Sequence, residues 1–280
     1  MNELISIKNM KVDFFRDDNK IQIIKGIDLS MRKGEVLAIV GESGSGKSIS
    51  MKAVMGILPE NTAVNADEMK FDGMELQKMS SKEKRLLRGN EIAMIFQDPM
   101  TALNPLKTIG AHLIEVIKRH RKVSTDEAGR QAMEMLKKVG IPSVGKRMGQ
   151  YPHEFSGGMR QRVMIAMALC SNPKLLIADE PTTALDVTIQ AQILKLLKQL
   201  HETEDMDIIL ITHDLGVVAS IADRIAVMND GEIVEIGDRD DILYRPTHPY
   251  TKALIRAVPK SKRGVRERLI SLHDSYSEEK

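Results

Sequence analysis

The sequence predicts an α/β fold in which buried parallel strands alternate with helices. Three observations carry the prediction. Val36–Val40, Leu175–Ala178 and Ile208–Ile211 are continuous apolar runs rather than alternating ones, the pattern of strands covered on both faces. Each is followed by a helical pattern: Lys47 to Ile57, Val187 to Glu202, and Leu215 to Asp223. A glycine-rich turn separates the first strand from its helix. Alternation of this kind calls for right-handed crossovers onto a parallel sheet.

The stretch from Thr108 to Gly140 departs from that rhythm. It reads as two helical segments with no strand, the second opened by a capping box of Ser124 with Glu127 and ended by Gly140 and Pro142. A helical insertion within the α/β domain is expected there. Asp238 to Lys280 is punctuated by proline and then densely charged, as expected of a small appendage with a solvated tail. A sharper reading of Lys260, Lys262, Arg263, Arg266 and Arg268 in that tail is contact with anionic lipid head groups.

Composition narrows the function. The 280 residues are long enough for a sizeable core, and 41 basic against 39 acidic side chains leave a net charge of +2. So balanced a surface argues against bulk nucleic-acid binding, and the absence of Trp disfavours base-stacking platforms. The longest apolar run, Val163 to Cys170, is far short of the ~20 residues a membrane span needs. Met1-Asn2-Glu3 opens no signal peptide, and Cys170 alone makes neither a disulfide nor a cysteine-ligated metal site, so a cytosolic setting is expected. The 18 methionines read as core filler on helix faces.

The chemistry sits where strands end, as open parallel sheets require. After the first comes Gly41-Glu42-Ser43-Gly44-Ser45-Gly46-Lys47-Ser48, a match to G-x-x-x-x-G-K-[ST], whose backbone N–H groups converge on phosphate oxygens. Lys47 is placed to reach the β- and γ-phosphates and the Ser48 hydroxyl to bind Mg²⁺. The second strand ends in Asp179-Glu180. Adjacent carboxylates closing an apolar strand are costly without a cation, so Asp179 suits Mg²⁺ and Glu180 suits a general base for an attacking water. The third ends in Thr212-His213, whose imidazole is placed to sense the γ-phosphate and hold the water or Glu180. Gln97 follows another apolar run, Ile92 to Phe96, and completes the Mg²⁺ and water shell. Phe155-Ser156-Gly157-Gly158-Met159-Arg160-Gln161-Arg162 precedes a long apolar helix and offers a second anion site that does not easily serve the Gly41–Ser48 loop of its own chain, and a helix N-cap explains Ser156 and the glycines equally well.

These segments, in this order from Leu4 to Gly237, resemble those of an ATP-binding cassette (ABC) ATPase. Gly41–Ser48 is similar to Walker A, Gln97 to the Q-loop, and Ser156-Gly157-Gly158-Met159-Arg160 to the signature, with Met159 where glutamine is commonest. Leu175–Asp179 with Glu180 resembles Walker B, Thr183-Ala184-Leu185-Asp186 the D-loop, and His213 the H-loop. The resemblance implies a P-loop NTPase (RecA-like) core with a parallel sheet, an antiparallel β subdomain, and a helical subdomain at about 100–165. Residues 1–237 would form the ATPase domain and 238–280 a C-terminal extension. It implies ATP and Mg²⁺ as ligands, with Mg²⁺ on Ser48, Gln97 and Asp179, and Phe14 stacked on adenine. It also implies a head-to-tail dimer in which the signature and Asp186 of one chain close on the nucleotide of the other.

Gln97-Asp98-Pro99-Met100-Thr101-Ala102-Leu103-Asn104-Pro105 and Tyr244-Arg245-Pro246-Thr247-His248-Pro249-Tyr250-Thr251 resemble segments of peptide and nickel importers. The partners so implied are a second cassette subunit, two integral-membrane permeases and an extracellular or periplasmic substrate-binding protein. The chain is placed peripherally on the cytoplasmic face of the membrane. Peptides are the favoured cargo and nickel the alternative. A GTPase reading fails because the only Asn-Lys pair, Asn19-Lys20, is followed by Ile21-Gln22 rather than by x-Asp. A soluble cassette acting on nucleic acid is the remoter alternative, since such proteins usually carry a long coiled coil, zinc cysteines or two cassettes in one chain, whereas this sequence has one cassette, one cysteine and no sustained heptads.

Overall fold

The computed structural model describes residues 3–17, 19–98, 102–183 and 185–257. They divide into two units, one of Met1–Met79 with Leu210–Lys280 and the other of Ser80–Ile209.

The first unit opens on two long strands, β1 (Glu3–Arg16) and β2 (Asn19–Arg32), paired antiparallel from Glu3 opposite Arg32 to Arg16 opposite Asn19. β4 (Thr62–Asn65) and β5 (Glu68–Phe71) also pair antiparallel with β1, and β6 (Met74–Glu75) pairs with β5. Ile5, Ile7, Met10 and Val12 of β1 and Ile24, Ile27, Leu29 and Met31 of β2 are buried, which supplies the hydrophobic drive for this antiparallel sheet. Met10, Met31, Met69 and Met228 lie on strands, so methionine fills sheet cores here as well as helix faces.

β3 (Val36–Val40) is buried along its length and pairs parallel with β10 (Arg224–Asn229), which pairs antiparallel with β11 (Glu232–Asp238). Over β3 lie α8 (Leu215–Ile221), α9 (Arg239–Tyr244) and α10 (Pro249–Arg256). Ala38, Val40, Leu215, Val218, Ile225, Val227, Ile242 and Tyr250 share one core cluster. The expected helix to Asp223 stops at Ile221. Asp223 instead accepts the Val36 N–H at 2.8 Å and donates its own N–H to the Val36 carbonyl at 2.9 Å, which fixes the start of β3.

The second unit begins with α2 (Ser81–Leu87), capped reciprocally by Ser80 and Glu83. β7 (Ile92–Ile95) and β8 (Leu175–Asp179) pair parallel. Between them come α3 (Ile109–His120), α4 (Thr125–Lys138), the short α5 (Val144–Arg147) and α6 (Gly157–Leu169). α3 and α4 are the two segments read from Thr108–Gly140, and both pack on α6. Ser124 does accept the Glu127 N–H at 3.1 Å, but the box is one-sided: the Glu127 carboxylate takes Arg130 and Gln131 instead of the Ser124 N–H. α7 (Val187–Glu204) follows, and β9 (Asp207–Thr212) carries the chain back to the first unit.

Candidate functional site

In the first unit β3 delivers the chain into the loop Gly41–Ser48 and then into α1 (Lys47–Met55). α1 ends at Met55, short of the expected Ile57, because Gly56 turns left-handed at φ 61° and donates its N–H to the Ala53 carbonyl. Gly41 stands at φ 152°, and a Cβ there would lie 2.0 Å from the Met228 carbonyl oxygen; only glycine fits. Gly46 is left-handed at the N-cap of α1, and a Cβ there would meet Ile24 Cδ1 at 2.6 Å. Gly231, in the turn after β10, donates its N–H to the Ser45 carbonyl at 3.0 Å.

Lys47 is only 5% exposed and folds back on its own loop. Its ammonium donates to the Gly41 carbonyl at 2.8 Å, the Glu42 carbonyl at 2.6 Å and Ser45 Oγ at 3.3 Å. Glu42, Ser43 and Gly44 are exposed and Ser48 half-buried, so one face of the loop is open to a ligand. The loop thus holds a cation among main-chain groups at the start of a helix, a setting suited to an anion. His213 follows β9 and is exposed. Phe14, half-buried on β1, lies opposite Ile21 of β2 and Thr62 of β4.

In the second unit the carboxylates close β8. Asp179 is 2% exposed. Glu180 takes a positive φ of 47°, rare for a residue with a side chain and a store of backbone strain. Its Oε2 accepts Gln97 Nε2 at 2.7 Å and Thr183 Oγ1 at 2.8 Å, while the Thr183 N–H reaches the Glu180 carbonyl at 3.2 Å. Gln97 thus stands on the expected base, and Thr183 joins them. The D-loop resemblance by itself assigns Thr183 no role. Ala184 of that segment, Pro99, Met100 and Thr101 of the segment after Gln97, and the tail lysines and arginines lie outside the described residues.

Ser156 is the N-cap of α6, accepting the Met159 N–H at 3.4 Å, and Asp186 is the N-cap of α7, accepting the Ile189 N–H at 3.0 Å. A Cβ on Gly158 would meet Ile189 Cγ2 at 2.5 Å and one on Gly157 would meet Leu185 Cδ2 at 3.3 Å. The two glycines therefore let the start of α6 approach the start of α7, a packing demand that a capping argument alone leaves out. Among the described residues no group of three or more His, Cys, Asp and Glu is placed to hold a metal, and no helix is long and apolar enough to cross a membrane.

Residues 24–183 match the family model described as ABC transporter, which is more than half of the chain. The chain belongs to the ABC transporter family. It is an α/β ATPase of that family and binds ATP. Residues 234–278 match a second model, the oligopeptide/dipeptide transporter C-terminal region. The chain is 53% identical over 261 residues to the dipeptide transport ATP-binding protein DppD of Bacillus subtilis, covering 93% of this chain and 78% of that one. It is 52% identical over 273 residues to the oligopeptide transport ATP-binding protein OppD of the same organism, covering 97% and 76%. A dimeric post-hydrolysis structure of the ATP-binding cassette MJ0796 bound to ADP and Pi superposes with a TM-score of 0.74 at 28% identity, covering 84% of this chain and 98% of that one.

Proposed function

We propose that this ABC ATPase is the subunit that energises an importer of di- or oligopeptides. The supporting observation is the matching C-terminal region at residues 234–278, together with relatives about half identical over nearly the whole chain.

In this reading Gly41–Ser48 cradles the phosphates of ATP, and Lys47 exchanges the Gly41 and Glu42 carbonyls for phosphate oxygens. Phe14 supports the adenine. Ser48, Gln97 and Asp179 offer hydroxyl, amide and carboxylate oxygens, a donor set that fits Mg²⁺. Held by these residues, the ion would supply charge compensation for the phosphates. Glu180, held at Oε2 by Gln97 and Thr183, accepts the proton of the water whose oxygen attacks the γ-phosphorus as the bond to ADP breaks. His213 orients that water. Ser156, Gly157, Gly158, Met159 and Asp186 serve the nucleotide of the opposing cassette subunit.

ATP-driven closure of the cassette pair then works on two membrane permeases at the cytoplasmic face, fed by an external substrate-binding protein. The test is reconstitution with the permease pair, second cassette and binding protein in vesicles. Di- or oligopeptides should stimulate ATP hydrolysis and be taken up. Stimulation by nickel with no response to peptides would overturn the assignment of cargo.

A further inference from the structure

The segment Tyr244–Thr251 forms a strap that is tied into the Gly41–Ser48 loop through one side chain. Glu235 of β11 holds the strap, its carboxylate accepting the Thr247 N–H and Thr247 Oγ1 at 2.7 Å each and the His248 N–H at 3.1 Å. His248 Nδ1 caps α10 by accepting the Tyr250 N–H at 3.1 Å, and Pro249 sits in the first turn. The helix so aimed buries Tyr250 to 2% exposure among Ala38 and Val40, on the strand that leads into the loop. The Tyr250 hydroxyl then accepts the N–H of Glu42 at 3.2 Å.

That N–H belongs to the same peptide unit as the Gly41 carbonyl, which accepts Lys47 Nζ at 2.8 Å. The Gly41–Glu42 peptide plane is therefore held on one side by the Lys47 ammonium and on the other by Tyr250. Its carbonyl side is held by a group that leaves when Lys47 turns to phosphate. Its N–H side is held by a group that stays. A glycine on one flank gives this peptide unusual freedom to rotate, and Gly41 already stands at a φ that other residues avoid.

We propose that Tyr250 is a positioning residue for ATP, the strap's contribution being to hold the Gly41–Glu42 peptide in the orientation that keeps the loop preformed once Lys47 is drawn away. This rests on reading Gly41–Ser48 as the phosphate cradle, and the experiment separates the two. ATP affinity of the full chain is measured for the parent, Tyr250→Phe, Glu235→Ala and Lys47→Ala, and KM and kcat for ATP in the complex with the second cassette and permeases. Tyr250→Phe keeps the buried ring and loses only the hydroxyl. ATP binding should weaken and KM rise by about fivefold, the worth of one neutral hydrogen bond, with kcat within about twofold of the parent. Glu235→Ala, which frees the strap while leaving Tyr250 intact, should shift affinity in the same direction. An unchanged affinity in Tyr250→Phe beside a weakened Lys47→Ala overturns the positioning role and leaves the cradle standing. An unchanged affinity in Lys47→Ala overturns the cradle and the proposal with it. Should Tyr250→Phe fail to fold, parent-like affinity in Glu235→Ala overturns the proposal by itself.

Discussion

Gln97 and Glu180 lie 83 positions apart and meet at 2.7 Å, the amide Nε2 donating to carboxylate Oε2. Thr183 Oγ1 donates to the same oxygen, and the backbone of Glu180 is held left-handed at φ 47°. Two donors on one carboxylate oxygen fix the direction of the other, and a strained backbone persists only where its surroundings over-determine it. On the proposed reading, a carboxylate so fixed is set for the water it would deprotonate.

Replacing Glu180 by glutamine keeps the size of the side chain and removes the carboxylate that, on the proposed reading, takes the proton. The expected result is intact ATP binding with turnover lowered by about 10²-fold or more. Single-turnover hydrolysis beside a nucleotide-binding assay checks it. Hydrolysis near the parent rate would remove Glu180 from the role.

Lys47 and His213 should fail differently. Lys47 is buried in the loop and already holds two of its carbonyls, whereas His213 is exposed at a strand end. Lys47→Ala should weaken ATP binding itself, and His213→Ala should chiefly lower kcat. Equal dissociation constants for Lys47→Ala and the parent count against the loop as phosphate site.

β3, β7, β8 and β9 were legible because each was a short unbroken apolar run, whereas β10, which pairs parallel with β3, was not singled out; the two insertion helices were legible because caps and glycine marked their ends. The antiparallel sheet was not read from pattern. β1 has register shifts at four places against β2 and buries Leu4 to Ile7 consecutively, so the period-two alternation that marks a half-buried strand is broken. At the site the motif glycines were legible, but their reasons were tertiary. Gly41 avoids the Met228 carbonyl and Gly158 avoids Ile189, contacts that no spacing rule contains. Tyr250 stood within a strap already singled out, yet its bond to Glu42 spans 208 positions and depends on how α10 lies against β3.

Two glycines of one loop make a stability comparison. A Cβ at Gly41 would sit 2.0 Å from backbone oxygen, whereas one at Gly44 meets nothing within 4 Å. Gly44→Ala carries only the penalty of its φ of 84°, about 1 kcal/mol. Gly41→Ala adds a clash that displaces β10 or the loop and should cost at least ~2 kcal/mol. Thermal unfolding without nucleotide measures both, and equal losses would contradict the close approach.

Cys170 is buried with its Sγ donating to the Ala166 carbonyl at 3.2 Å, and burial pushes its thiol up to about 12. The folded chain should resist alkylation at pH 8 and react fully in denaturant. The sign for stability follows. A pKa raised from 9.0 in the unfolded chain means the neutral thiol's contribution is complete below pH 9 and is lost as pH rises towards about 12. Rapid native-state labelling at pH 8 would contradict this burial.

The last prediction concerns assembly. Ser156–Met159 caps α6, and the same chain carries its own Lys47 loop. On the proposed reading the signature serves a second cassette, so the chain alone should be largely monomeric and hydrolyse ATP slowly. The resemblance to importers that usually pair two different cassettes predicts a distinct subunit, rather than a second copy, as the preferred partner. Gly157 is half-buried, with Leu185 3.3 Å from where a Cβ would stand. Arginine there should block the start of α6 while leaving the Gly41–Ser48 loop untouched. Gly157→Arg should bind ATP as the parent does, yet reduce hydrolysis at the second cassette's loop in the assembled complex. That is measured by pairing it with a partner cassette whose own catalytic glutamate is intact, against a control in which that glutamate is replaced. Full ATPase activity from the purified chain in dilute solution, with no dimer at nucleotide saturation, would show that its signature acts on its own nucleotide or on none, and would overturn the cross-chain arrangement.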